Sequence, residues 1–271
     1  MNSCKTIFTI FLLSAGLCAY AQSDSTFKYI KSMSGEYNWF NVDNLNNVYV
    51  LTKTNQLKKY SENGDSVGIY NDVKKYGNPN SLDVSNPLKV LLYYKNFSTV
   101  VMLDRLLSFR NSINFRNHNI FSVRALATSY DNNIWLFDEQ EFKLKKIDET
   151  GTVLQESTDW RSLFDVVPSP TRLIDRDGLV YLYDPAKGFY IFDYYGNYKN
   201  KLPFVNWSDV EVSGKNIYGF NKDHLYSYEL NSLNLKEYKL PPFFGTYTGI
   251  KAMNGKVYVN HDDRIDVYEV K

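Results

Sequence analysis

One apolar strand with its leading turn recurs six times along the chain, and this periodicity constrains the fold more than any other feature. It reads NNVYVL at 46–51, PLKVLLYY at 87–94, NNIWLFD at 132–138, DGLVYLYD at 177–184, GKNIYGF at 214–220 and GKVYVN at 255–260. With Val48, Val90, Ile134, Val180, Ile217 and Val257 taken as equivalent, the steps are 42, 44, 46, 37 and 40 residues. A short alternating run precedes each copy (WFNVD, SLDVS, ALATS, RLIDR, DVEVS, GIKAM) and another follows it (QLKKYS, TVVMLD, KLKKID, FYIFDY, LYSYEL, RIDVYE). A further run, such as DSVGIYND or NLKEYKL, separates one copy from the next. Alternation bounded by Asn, Asp and Gly is the signature of strands joined by tight turns. Four such strands in a unit of roughly 40–45 residues describe one blade of a β-propeller. A β-sandwich also has many short strands, but it does not explain six near-equal units.

The strand count dictates how the ring closes. The sixth unit ends at VYEVK with three strands, while TFKYIKS at 26–32 stands ahead of the first unit. This segment is expected to supply the missing outer strand, because an open ring would leave a strand edge and an apolar blade face in water. The expected fold is all-β, a six-bladed β-propeller of four-stranded blades closed by its N-terminal strand. Tyrosine and phenylalanine, 23 and 17 in number, then serve to fill the wedge-shaped gaps between blades.

The first residues have a separate role. Lys5 precedes an almost wholly apolar run from Ile7 to Leu17, and Ala19-Tyr20-Ala21 offers small residues at a cleavage site. This is the plan of a secretory signal peptide over residues 1–21, leaving residues 22–271 as a single propeller domain. The apolar run is shorter than the about 20 residues that a spanning helix needs. Leu17 before Cys18 does not suit lipid attachment. Cleavage removes both cysteines, Cys4 and Cys18, so the mature chain is expected to hold no disulfide and no thiolate ligand. It also removes Lys5, bringing the 31 basic side chains level with the 30 acidic ones. Such a balance implies no nucleic-acid partner. No second apolar stretch approaches a membrane span, and the mature chain is expected to be a monomer by itself.

Candidate sites fall into four groups. In the second unit Lys89, Lys95, Arg105, Arg110, Arg116 and Arg124 face a single acid, Asp104, and form either a basic patch for an anionic partner or a solvated face balanced by neighbours. Trp160, Phe164, Trp207, Phe243, Phe244 and Tyr247 lie in connections between units. They are either an exposed aromatic face for protein or glycan, or plugs between blades. The innermost strands align Asn41, Asp83, Ala127, Ile174, Glu211 and Lys251 around the axis. Of these Asn41, Asp83 and Glu211 offer oxygen to a hard cation, though a Glu211–Lys251 ion pair is the simpler account. Ser25 and Ser66 follow Asp in short O-glycosylation-like motifs. Asp175-Arg176-Asp177-Gly178 reads as a tight turn, since Arg stands second where a calcium loop would place a ligand. His118, His224 and His261 fall in different units. No nucleophile elbow or phosphate-binding glycine loop occurs, and neither a catalytic residue nor a cofactor is assigned.

The blade pattern and the Ala-Gln signal junction resemble an uncharacterised family of exported propellers of the Bacteroidota. The axial Asn-Asp-Glu set bears a weaker similarity to the calcium lactonase type of propeller, from which Ala127, Ile174 and Lys251 depart. The first resemblance implies export to the periplasm or the periplasmic side of the outer membrane. The chain stops at its last blade strand without a C-terminal sorting domain, and it is expected to be retained there. A non-enzymatic interaction module, contacting an envelope protein or an outer-membrane complex, is the expected role. The alternatives are a metal-dependent lactonase or esterase and a glycan-binding propeller.

Overall fold

The computed structural model describes residues 26–271. The expected leader and Ser25 lie outside these residues. Six four-stranded antiparallel sheets follow one another along the chain, at residues 37–70, 81–114, 123–156, 172–202, 208–239 and 249–270. The last of them contributes three strands and takes Phe27–Ser34 as its fourth. The six-bladed propeller closed by its N-terminal strand is therefore the fold observed.

The first strand of each blade is innermost: Tyr37–Val42, Ser81–Asn86, Val123–Thr128, Arg172–Arg176, Ser208–Ser213 and Gly249–Met253. These strands contact one another in ring order around the axis. The second strand carries the repeated apolar run because it is buried on both faces. In Lys89–Tyr94, for example, Val90, Leu92 and Tyr94 pack toward blade 1 while Leu91 and Tyr93 pack toward blade 3. Side chains alternate across a strand, so a strand with two covered faces reads as a continuous apolar stretch. One apolar cluster fills each gap between neighbouring blades. Each large apolar side chain fully buried there contributes about 1.5–3 kcal/mol. No blade owns a core alone, which is why the unit must repeat and the ring must close.

Closure is made by the longest pairing in the molecule, from Phe27 opposite Val270 to Ser34 opposite Arg264, with a bulge between Tyr29 and Lys31. The Lys271 N–H donates to the Thr26 carbonyl at 2.8 Å, and the Ser32 hydroxyl donates to Asp266.

The hairpin turns share a device. Asp43, Asp104, Asp148 and Asp193 each use Oδ1 to accept the N–H groups two and four residues on, at 2.8–3.0 Å. The residue three on from each is left-handed: Asn46 (φ 61°), Leu107 (φ 63°), Gly151 (φ 92°) and Gly196 (φ 74°). This is the three-residue hairpin loop ending in a left-handed residue. Leucine is an uncommon choice for that conformation; Leu107 holds it while buried in the cluster between blades 1 and 2. The turns joining first to second and third to fourth strands all lie on one side of the disc, the turn face. The connections between blades lie on the other, the loop face.

Candidate functional site

The ring carries a recess at each end of its axis, and these two mouths differ in chemistry. At the loop face a recess of about 270 Å³ is lined by Trp39, Asn41, Asn80, Arg172, Asp209 and Lys251, among others. Arg172 donates to Glu211 at 2.9 Å, joining blade 4 to blade 5. Lys251 meets Asp209 at 2.8 Å, joining blade 6 to blade 5. Burial works against the Arg172 charge, yet the carboxylates of Glu211, Asp83 and Asp209 leave its pKa above the ordinary value. The expected Glu211–Lys251 pair is thus corrected: the two residues have exchanged partners. The reason is a bulge in the inner strand of blade 5 between Ser208 and Glu211, where Asp209 adopts a positive φ of 49° and comes within reach of the lysine.

The rest of the axial column is already engaged. Asn41 donates to the Leu82 carbonyl at 3.1 Å, and Asp83 accepts the Thr128 N–H at 2.8 Å and the Ser85 hydroxyl at 2.9 Å. Ala127 and Ile174 sit in apolar clusters. The polar members therefore zip successive blades together instead of converging on a common point. Among the described residues no group of three or more His, Cys, Asp or Glu is placed to hold a metal ion.

At the turn face a second recess, about 300 Å³, is lined by Asn44, Ser85, Asn86, Thr128, Ser129, Tyr130 and the Asp175-Arg176-Asp177 turn, with Pro87. Asp175 is buried and accepts from the Ser129 hydroxyl at 3.1 Å, Trp135 Nε1 at 3.0 Å and the Tyr194 hydroxyl at 3.1 Å. Burial raises its carboxyl above the ordinary range, although these three donors pull the other way. Tyr130 stacks on Tyr194 with ring centroids 4.2 Å apart, leaving its outer face to solvent. Arg176 makes no ion pair among the described residues, and its Nε is buried without a partner. The hydroxyl of Thr128, a residue only 3% exposed, is likewise unpartnered. Sequence reading passed over Arg176 as a turn residue, and nothing in DRDG signals an arginine left unpaired.

The other expected groups disperse. Trp160 is fully buried, stacked 5.0 Å from Phe192, with Phe164 edge-on against it. Trp207 is buried between Phe204 and Tyr226 and lies over Gly219, where a Cβ would come within 2.4 Å of the indole. Phe244 is buried between Phe27 and Tyr268, and Tyr247 is partly buried with its hydroxyl near the Lys222 carbonyl. Phe243 is the exposed member of the set. Of the two readings, the plug holds for Trp160, Trp207 and Phe244, because large flat side chains fill a widening wedge, while Phe243 alone of the six stands in solvent and makes no face by itself.

The basic strip of blade 2 does not converge either. Lys89 is buried and paired with Glu149 at 2.8 Å, and Arg124 is paired with Glu139 at 2.8 Å. The Arg116 Nε donates to Ser98 at 3.1 Å. Lys95 and Arg116 belong to the loop face, Arg105 to the turn face and Arg110 to an outer strand. Ser66 is exposed at the start of the outer strand of blade 1.

Both faces expose large apolar side chains: Phe97, Phe121, Val166 and Phe243 stand on the loop face, and a second group stands on the tips of the turn face. Leu45, Leu88, Tyr130 and Tyr195 are 59%, 62%, 66% and 77% exposed, and Leu106 and Leu233 project beside them. Their exposure has a local cause. Leu45, Leu88, Leu106 and Tyr195 each sit two residues after an Asp or Asn whose side-chain oxygen holds their N–H, which fixes the turn and leaves the side chain pointing outward. Sequence reading recognised these turns but not that their tips are apolar on one face.

Neither a protein-family model nor a curated protein sequence matches this chain. Solved structures do share its fold. A putative exported protein of Bacteroides fragilis matches with a TM-score of 0.59 at 10% identity, covering 90% of this chain and 94% of that one. Virginiamycin B lyase of Staphylococcus aureus matches with a TM-score of 0.56 at 12% identity, covering 90% and 98%. PorZ, a surface component of the type-IX secretion system of Porphyromonas gingivalis, matches with a TM-score of 0.56 at 12% identity over 87% of this chain and 32% of that one. Likenesses this distant carry the propeller fold, which hosts many unrelated functions.

Proposed function

We propose that this chain is a non-enzymatic interaction propeller of the cell envelope, exported by the leader at residues 1–21, that docks through its turn face. The observation that carries this reading is the group of apolar tips raised around one mouth of the channel. Large apolar side chains held outward by rigid turns on one face offer a docking surface. The rigid ring spares the ordering cost that a flexible surface would meet on binding. The fold shared with a putative exported Bacteroides protein and with PorZ supports an envelope setting, and an accessory subunit of an outer-membrane secretion or assembly complex is the specific form proposed. Among the described residues no helix is long and apolar enough to cross a membrane.

The test is affinity purification from the native envelope, comparing the wild type with a Leu88→Asp/Tyr130→Asp double variant. Both positions are exposed, so the fold should survive, as circular dichroism would verify. A partner recovered with the wild type and reduced at least tenfold with the variant is expected. Recovery of the wild type as a free monomer, or equal partner yield from both, overturns the reading.

A further inference from the structure

The recess at the turn-face mouth combines two features that no internal contact explains. The Nε of Arg176 is unpartnered, as are those of Arg124 and Arg172, but of the three only Arg176 makes no ion pair among the described residues, and Thr128 brings a buried hydroxyl with no partner. Buried polar groups in folded proteins are almost always hydrogen-bonded, so two orphans lining one recess call for a ligand that supplies acceptors. The neighbouring polar groups are spoken for. The Ser85 hydroxyl donates to Asp83, the Ser129 hydroxyl to Asp175, and Asn86 to Asn132.

Resting on the docking role proposed above, we infer that this recess receives one carboxylate, the side chain of an Asp or Glu on a protein partner, with apolar residues beside it. Arg176 and Thr128 are its donors. The charge count sets the class of group. A phosphate dianion is usually met by clustered arginines, whereas here a single guanidinium stands near Asp177 at the rim, with Asp175 buried behind it. One guanidinium and one hydroxyl match the two oxygens of a single carboxylate, and with two acids beside it the recess has no charge to spare for a dianion. The rim sets the flanks: Tyr130 lines the mouth, and the exposed Leu45 and Leu88 follow its lining residues Asn44 and Pro87 on the two preceding blades. A half-buried arginine with exposed apolar residues beside it has the anatomy of an interface hot spot, where surrounding contacts exclude water from a central charge-assisted hydrogen bond.

The peptide Ac-Leu-Asp-Leu-NH2 provides the direct probe. Titrated into ¹⁵N-labelled protein, it should shift the Arg176 Nε–H resonance and the backbone amides of Thr128 and Ser129 saturably. Affinity should fall at least tenfold for Ac-Leu-Asn-Leu-NH2, and for the aspartyl peptide against Arg176→Gln or Thr128→Val. Equal binding of both peptides, or no saturable shift, overturns the inference. Acetate or inorganic phosphate binding as tightly as the aspartyl peptide overturns it too, since the recess would then be a small-anion site without a role for the rim. The envelope experiment separates the two readings. A partner lost with Leu88→Asp/Tyr130→Asp but retained in full with Arg176→Gln leaves the docking face standing and removes the carboxylate. A partner retained with both removes the docking face itself.

Discussion

The two mouths of the channel are built from the ends of the same six inner strands, and one strand, Arg172–Arg176, carries a guanidinium to each. At the loop face Arg172 is closed off by Glu211, and Lys251 beside it by Asp209. At the turn face Arg176 makes no ion pair among the described residues, although Asp175 and Asp177 line the same recess, and exposed apolar tips stand on that face. The Nε of each arginine is buried without a partner, so the two ends differ in ion pairing: Arg172 has its carboxylate and Arg176 has none among the described residues. The ion pairs of the loop face are structural, since each joins two blades. The arginine of the turn face joins no second blade by an ion pair among the described residues. Residues that bind one another hold the ring, and residues left without partners are available to something else.

The largest test of this contrast is Glu211→Ala. It leaves the Arg172 charge largely buried without its counter-ion, and removing one member of a buried pair costs about 3–5 kcal/mol. Urea unfolding should register a loss of about 3 kcal/mol, with much of it regained when Arg172→Met is added. A loss below about 1 kcal/mol would mean that the loop-face mouth is as open as the other.

A smaller effect is expected at Asp175, whose carboxyl is raised above 3.8 by burial. The folded state then holds this proton to a higher pH than the unfolded state does. Stability contributed here is fully present below the ordinary aspartate value and is lost as pH climbs through the raised one. The stability of the wild type relative to Asp175→Asn should therefore fall as pH rises from 3.8 and level off once the raised value is passed. A difference that instead grew in favour of the wild type with rising pH would reverse the assignment.

The smallest effect sharpens the comparison most. Arg176→Gln should change unfolding free energy by no more than about 0.5 kcal/mol, the range of substitutions that touch no structural partner. A cost like that at Glu211 would show that Arg176 is structural after all.

The fold was legible because each blade repeats its local chemistry. Val48, Val90 and their equivalents recur in strands buried on both faces, and the Asp-led turns recur where the chain must reverse. The missing sixth outer strand followed from the same regularity. The site was less legible because it depends on contacts between blades. Glu211 and Lys251 share a column in the alignment, but a one-residue bulge beside Asp209 redistributes both ion pairs. Trp160 and Trp207 lie in connections that read as surface loops, yet the wedge between blades takes them in.

What the amino-acid sequence determined by itself was whatever repeats within a blade: strand period, turn chemistry, the number of units and the need to borrow a strand for closure. These follow from local alternation and from the requirement that no apolar face be left uncovered. The tertiary structure alone decided which charges meet across the axis, which aromatics become plugs, and that Arg176 finds no partner. Those outcomes turn on distances of a few ångströms between segments far apart in the chain, where one bulge or one ring's tilt changes the neighbour without altering any local pattern.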